Sequence, residues 1–203
     1  SSLVQSLARA ERERFAARQQ SYLEAFQRLA PAEHLQAHLL GEANWFRYRP
    51  CDVAVVLGRA AQGVDVASLL LVDELLAGAL RFFVVGPEVS PWHPWLARAR
   101  RVSTLEELPV SWEGRVPARV RLIGCEGEDA WRVFGAADAH IEAEPVSDWG
   151  RVELLRYLVE QSICIHHHRY GNVGLAELSP RPRGLRGGTR PSPRGDASEG
   201  VGT

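Results

Sequence analysis

Three short apolar runs, each closed by a glycine, constrain this chain more than any other feature. Val53-Ala54-Val55-Val56-Leu57 ends at Gly58, Phe82-Phe83-Val84-Val85 at Gly86, and Val120-Arg121-Leu122-Ile123 at Gly124. Runs of this length and near-continuous apolarity suit strands covered on both faces. Between the first two, Asp65 to Leu80 carries Leu69, Leu70, Val72, Leu75, Leu76 and Leu80 at helical spacing, and Glu128 to Phe134 predicts a shorter helix after the third. Ala139-His140-Ile141-Glu142 predicts a fourth strand. Trp149 to Glu160 predicts a helix with Ser147 or Asp148 as N-cap and Val152, Leu155, Leu158 and Val159 turned inward. Ser162-Ile163-Cys164-Ile165-His166 predicts a fifth strand. Strands and helices in alternation build a parallel sheet through βαβ crossovers. The expected fold is therefore α/β, a Rossmann-like, mostly parallel sheet of about five strands within residues 51–175.

The flanks differ from this unit. Residues 1–30 predict a leading amphipathic helix, with Tyr22, Leu23, Phe26 and Leu29 on one side, Arg, Glu and Gln over most of the other, and Pro31 as its stop. Residues 31–50, around Asn44-Trp45-Phe46-Arg47-Tyr48, predict an extended connector that packs. Within 87–118 only a short helical turn near Thr104 to Leu108 is expected. Residues 176–203 are rich in Arg, Gly and Pro and nearly free of apolar side chains, so they are expected to be a disordered tail.

Of the 203 residues none is Met, and all 24 basic residues are Arg. Without lysine there is no Schiff-base lysine, P-loop lysine or lysine general base. The formal charge of −1 gives no electrostatic reason to expect nucleic acid as a partner, and no apolar run is long enough for a transmembrane segment. Cys51, Cys125 and Cys164 are odd in number and widely spaced, which favours a reduced, cytoplasmic setting over a disulfide framework. A chain that opens on Ser1 inside a charged helical pattern reads as a piece of a longer product.

Ligands of open α/β sheets sit at the carboxyl ends of the strands, where Gly58, Gly86 and Gly124 would lie. None of the three turns is GxGxxG, so tight strand-to-helix turns are the plainer account. His166 and His168 would share a strand face, but no third metal ligand is near in sequence, and capping a sheet edge explains them as well. Cys125 is expected to be the most accessible thiol, with Glu126 and Glu128 disfavouring its thiolate, while Cys51 and Cys164 are expected in or near the core. Glu142 and Glu144 could share a strand face as a carboxylate pair, although Pro145 follows at once and solvated acids at a strand end are simpler. No catalytic, cofactor-binding or metal residue is assigned.

Two stretches carry a resemblance. Gly41-Glu42-Ala43-Asn44-Trp45-Phe46-Arg47-Tyr48-Arg49-Pro50, and Leu154-Leu155-Arg156-Tyr157-Leu158-Val159-Glu160-Gln161-Ser162-Ile163 running on to His168-Arg169-Tyr170-Gly171-Asn172, resemble the C-terminal region of proline utilisation A type enzymes. These are bifunctional proline dehydrogenase/L-glutamate γ-semialdehyde dehydrogenases related to the aldehyde dehydrogenase superfamily. The resemblance implies a non-catalytic Rossmann-like portion of a proline-catabolic oxidoreductase, with NAD and FAD bound by the parent enzyme and not by this piece. It implies as partners the upstream aldehyde dehydrogenase and proline dehydrogenase domains, with room for a homo-oligomer. It places His168, Arg169, Tyr170 and Gly171 in a closing segment that covers the channel between active sites. The Arg/Gly/Pro stretch after Asn172 departs from that family's abrupt ending. The alternative is a free-standing Rossmann-like regulatory or ligand-binding module.

Overall fold

The five runs that pair side by side in the computed structural model are Val53–Leu57 (β3), Leu80–Val85 (β4), Arg100–Val102 (β5), Arg119–Ile123 (β6) and His140–Glu142 (β7). They form one parallel sheet in the order β5-β4-β3-β6-β7. The structure describes residues 2–30, 34–39, 42–86, 96–112, 114–125, 127–135 and 139–166. The chain divides into two units, Ser1–His166 and His167–Thr203, and every described residue belongs to the first. The expected disordered tail lies outside the described residues.

β3 is central, and all five of its side chains are buried. That is why it reads as unbroken Val, Ala and Leu: its alternate residues feed two cores. Val53, Val55 and Leu57 join a cluster with the helices Ser2–Ser6 (α1), Arg9–Leu29 (α2) and Gly63–Leu75 (α3). Ala54 and Val56 join another with Leu108 of Leu108–Ser111 (α4), with Trp112, which caps that helix, and with Phe134 of Gly127–Phe134 (α5). Helices therefore cover both sheet faces, as the βα alternation requires.

The leading helix is two helices. Ala8 is extended, and its backbone N–H donates to the Glu11 carboxylate (3.0 Å), so α2 starts afresh at Arg9. The break lets Leu3 and Leu7 turn into the core. The buried stripe of α2 is Phe15, Arg18, Tyr22, Ala25 and Leu29, spaced by three and four residues. Leu23 is largely outside it, and Arg18, of a type expected on the wet face, is inside it.

The final strand departs from expectation. Leu158–His166 (β8) does not enter the parallel sheet; it pairs antiparallel with Glu42–Pro50 (β2), which also pairs with His34–Leu39 (β1). The stretch read as an extended connector thus supplies two strands of a second, three-stranded sheet, in the order β1-β2-β8. The fifth parallel strand is instead β5, at the edge beside β4. Helix Gly150–Leu155 (α6) is also shorter than its apolar pattern suggested, and its cap residue is Trp149, whose N–H donates to Ser147 Oγ (3.1 Å). Arg119 Nη1 donates to the carbonyls of Leu155 (2.9 Å) and Arg156 (2.7 Å), and Tyr157 O accepts from Cys51 N (3.0 Å). Those bonds satisfy the helix end and release the chain at Leu158. The inward residues are Glu153, Leu154 and Tyr157, while Val152 and Val159 face solvent. Among the described residues no helix is long and apolar enough to cross a membrane.

Candidate functional site

In a sheet of this order the connections run in opposite directions from β3, so the crevice that open α/β proteins use for ligands lies between the carboxyl ends of β3 and β6. Gly58 and Gly124 sit there. Their backbones meet across the crevice. Gly58 N donates to Ile123 O (2.8 Å), Ala60 N to Gly124 O (3.3 Å) and Ala61 N to Gly58 O (3.2 Å), so these three amides of the turn are committed within the protein. A Cβ at Gly58 would lie 2.2 Å from Gly124 O, and one at Gly124, where φ is +65°, would lie 2.1 Å from Ala61 N. Both glycines serve backbone-to-backbone contact, the third use of glycine in such folds, and not approach by a ligand.

The start of α3 is equally closed. Val64 is buried, and Asp65, in the first turn, holds the Arg18 guanidinium at 2.8 Å where an anionic ligand would need an open helix end. The residues at this crevice do not fit a dinucleotide pyrophosphate.

Cys125 lies beside this contact, 2.7 Å from the place of a Gly58 Cβ. Burial pushes its thiol up to about 11, so it is not poised as a nucleophile. The leading cause is desolvation by burial, and Glu126, one of the two acids that the sequence sets beside this thiol, lies outside the described residues. The exposed thiol is Cys164, on β8, whereas Cys51 and Cys125 are half-buried. The apolar run around Cys164 predicts a place near the core, but on β8 this residue lies on an exposed face of the small sheet.

Glu142 and Glu144 do not pair as acid and base. Glu142 accepts from Glu144 N (3.0 Å) and faces Arg156 (3.5 Å) and Arg121 (4.0 Å). The side chain of His166, and all of His167, His168, Arg169, Tyr170 and Gly171, lie outside the described residues. Among the described residues no three His, Cys, Asp or Glu side chains gather as metal ligands would.

What the sequence reading missed is a buried ionic core. Glu153, wholly buried, accepts from Tyr157 Oη (2.7 Å), Ser147 N (2.8 Å), Arg156 Nη1 (3.0 Å) and Arg121 Nη2 (3.3 Å). Arg121 also donates to the carbonyls of Glu142 and Glu144. Burial, and then the charge of Glu153, holds the Tyr157 hydroxyl far above its ordinary value, so it stays a donor. Arg18 makes a parallel set, to Asp148 (2.6 Å), Asp65 (2.8 Å), Val146 O (2.8 Å) and Ser68 Oγ (3.2 Å), and Tyr22 Oη donates to Ser147 O (2.6 Å). Residues 142–148 are thus clasped from both sides, by β6 and by α2. One signal was available: Arg121 interrupts an apolar strand.

Comparison with known proteins follows this geometry. No family model matches the chain, and no curated protein matches it. Among solved structures, proline utilization A from Corynebacterium freiburgense superposes with a TM-score of 0.53 at 24% identity, covering 81% of this chain and 15% of that one. The fold is shared. At that identity the likeness shows the fold alone, and this chain spans only a small part of that protein's length. A proline utilization A variant from Bradyrhizobium japonicum (TM-score 0.38, 16% identity, 55% of this chain and 13% of that one) overlays too loosely to carry an argument. The same holds for a 3,6-anhydro-L-galactose dehydrogenase in complex with NAP (0.39, 13%, 65% and 31%).

Proposed function

We propose that this chain is a non-catalytic, Rossmann-like portion of a cytoplasmic proline-catabolic oxidoreductase, an NAD-dependent L-glutamate γ-semialdehyde dehydrogenase fused to proline dehydrogenase, and that it covers the channel between their active sites. The observation that carries this reading is the Gly58–Gly124 contact: a sheet with the strand order of a nucleotide-binding domain has its own backbone closely packed across its ligand crevice. The shared fold with a segment of proline utilization A supports the parent. In this reading NAD and FAD belong to the upstream aldehyde dehydrogenase and proline dehydrogenase domains, and His168, Arg169, Tyr170 and Gly171 lie against the channel.

Two experiments test it. The isolated 203-residue chain, given NAD and L-glutamate γ-semialdehyde, is expected to produce no NADH, and turnover would overturn the reading. The reading frame upstream of Ser1 is expected to continue into an aldehyde dehydrogenase sequence with its own nucleophilic Cys and Glu. A start codon immediately before Ser1 would instead establish the free-standing module.

A further inference from the structure

Trp149, the cap residue of α6, is 75% exposed, although tryptophan is on average one of the more buried residue types. The next residue explains its position. A Cβ on Gly150 would lie 2.2 Å from Ser21 O, and Gly150 N donates to Ser21 Oγ (2.8 Å), so the backbone of α6 rests directly on α2. The indole is left beside that contact and not within it. A cavity of about 150 Å³ opens there between the two helices, lined by buried Ala25 and Leu29 and by Trp149.

The rim of this cavity is charged. Arg28, in the last turn of α2, and Arg151, in the first turn of α6, both line it and are exposed, and neither makes an ion pair or hydrogen bond among the described residues. Glu24 is the one carboxylate among the described lining residues, and it accepts from Gln20 Nε2 (3.1 Å). Asp148, just before the indole, is already matched by Arg14 (2.9 Å) and Arg18 (2.6 Å). Two guanidinium groups against one carboxylate leave the rim positive. The wall is also preorganised, because those bonds to Asp148 and the bond from Tyr22 Oη to Ser147 O (2.6 Å) fix the chain that leads into Trp149.

We propose that the cleft between α2 and α6 docks a polypeptide segment that carries one aromatic or branched aliphatic anchor between acidic residues. The cavity has room for a single ring or branched side chain, and is well under the roughly 300 Å³ at which pockets for free small ligands begin. Its occupant is therefore one side chain of a larger partner. Tryptophan and arginine around a small desolvated hole are the residues that dominate binding energy at protein interfaces. The anchor sits against the indole over Ala25 and Leu29, and flanking carboxylates meet the Arg28 and Arg151 guanidinium forks.

The test is a fluorescence anisotropy titration of a labelled peptide, Glu-Glu-Glu-Phe-Glu-Glu-Glu, with the full 203-residue chain at low ionic strength. Saturable binding is expected, about tenfold weaker in Trp149→Ala, about fivefold weaker in Arg28→Gln and in Arg151→Gln, and unchanged in Arg9→Gln at the other end of α2. Trp149, Arg28 and Arg151 are exposed, so these variants are expected to melt with the parent chain. Peptides with alanine in place of phenylalanine, or lysine in place of glutamate, are expected not to saturate. Absence of saturation with the first peptide, an equal loss in Arg9→Gln, or a lysine peptide that binds as tightly would overturn the assignment. So would phenylacetate binding as tightly as the peptide, which would make the cavity a small-molecule site, or self-association of the chain alone that Trp149→Ala abolishes, which would give the surface to a second copy.

Discussion

Arg121 lies 3.3 Å from Glu153, and neither side chain reaches solvent. A strand in the parallel sheet and a short helix are thereby joined through opposite charges in a region of low dielectric. Burial pulls the Arg121 guanidinium toward neutrality, but Tyr157, Glu153 and Glu142 outweigh that and keep it charged.

Removing one partner of such a pair costs far more than removing both. Glu153→Gln preserves shape but leaves Arg121 without its closest counter-charge, and is expected to destabilise the chain by about 3 kcal/mol in urea unfolding. The double variant Arg121→Met with Glu153→Leu is expected to recover most of that loss. A Glu153→Gln protein within about 1 kcal/mol of the parent would show that the carbonyls around Arg121 suffice.

Asp148 ties α2 to the loop before α6. Arg14 (2.9 Å), and with it Arg18 (2.6 Å), holds its carboxyl below the usual range. A depressed folded-state value means that the stabilisation is complete above the unfolded value of about 4 and is lost as pH falls through the folded one. The stability gap between the parent chain and Asp148→Asn is therefore expected to be under about 1 kcal/mol at pH 7, because the carboxylate is half exposed. It should shrink further in urea titrations below about pH 4. A gap independent of pH would mean that Asp148 acts through packing.

Gly124→Ala places a Cβ 2.1 Å from Ala61 N at a φ of +65°. Backbone, not a flexible side chain, stands in the way. A loss of about 3 kcal/mol or more is expected, with a lower melting temperature. Near-parental stability would show that the β3–α3 turn can withdraw and open the crevice.

Thiol labelling distinguishes the cysteines. With Cys125 near 11, only about one in a thousand of its thiols is ionised at pH 8, so iodoacetamide is expected to modify exposed Cys164 first and Cys125 only on unfolding. Early modification of Cys125 in the folded chain would contradict its burial.

The parallel sheet was legible where burial on both faces makes composition extreme. β3 is apolar throughout and is found at the residues where its pattern placed it. β5 was not, because Arg100-Arg101-Val102 has one apolar residue and is a strand through its pairing with Phe83, Val84 and Val85 at an edge. β8 was legible as a strand but not in its partner: alternation specifies a half-covered strand and says nothing of which sheet receives it. The glycine turns were readable as turns. The ionic clasp was not, since Arg18 and Glu153 sit in helical patterns where charge ordinarily marks the wet face, and only tertiary packing turns them inward.

The pairing of β2 with β8 sets an order of assembly. During synthesis β1 and β2 emerge before any strand of the parallel sheet, yet β2 receives its second neighbour only after β7 and α6 have been made. A two-stranded ribbon is marginal alone. Until the last strand arrives, β2 presents an open ladder to any extended chain nearby, so the nascent polypeptide is at its most vulnerable to mispairing while the larger sheet is already taking shape.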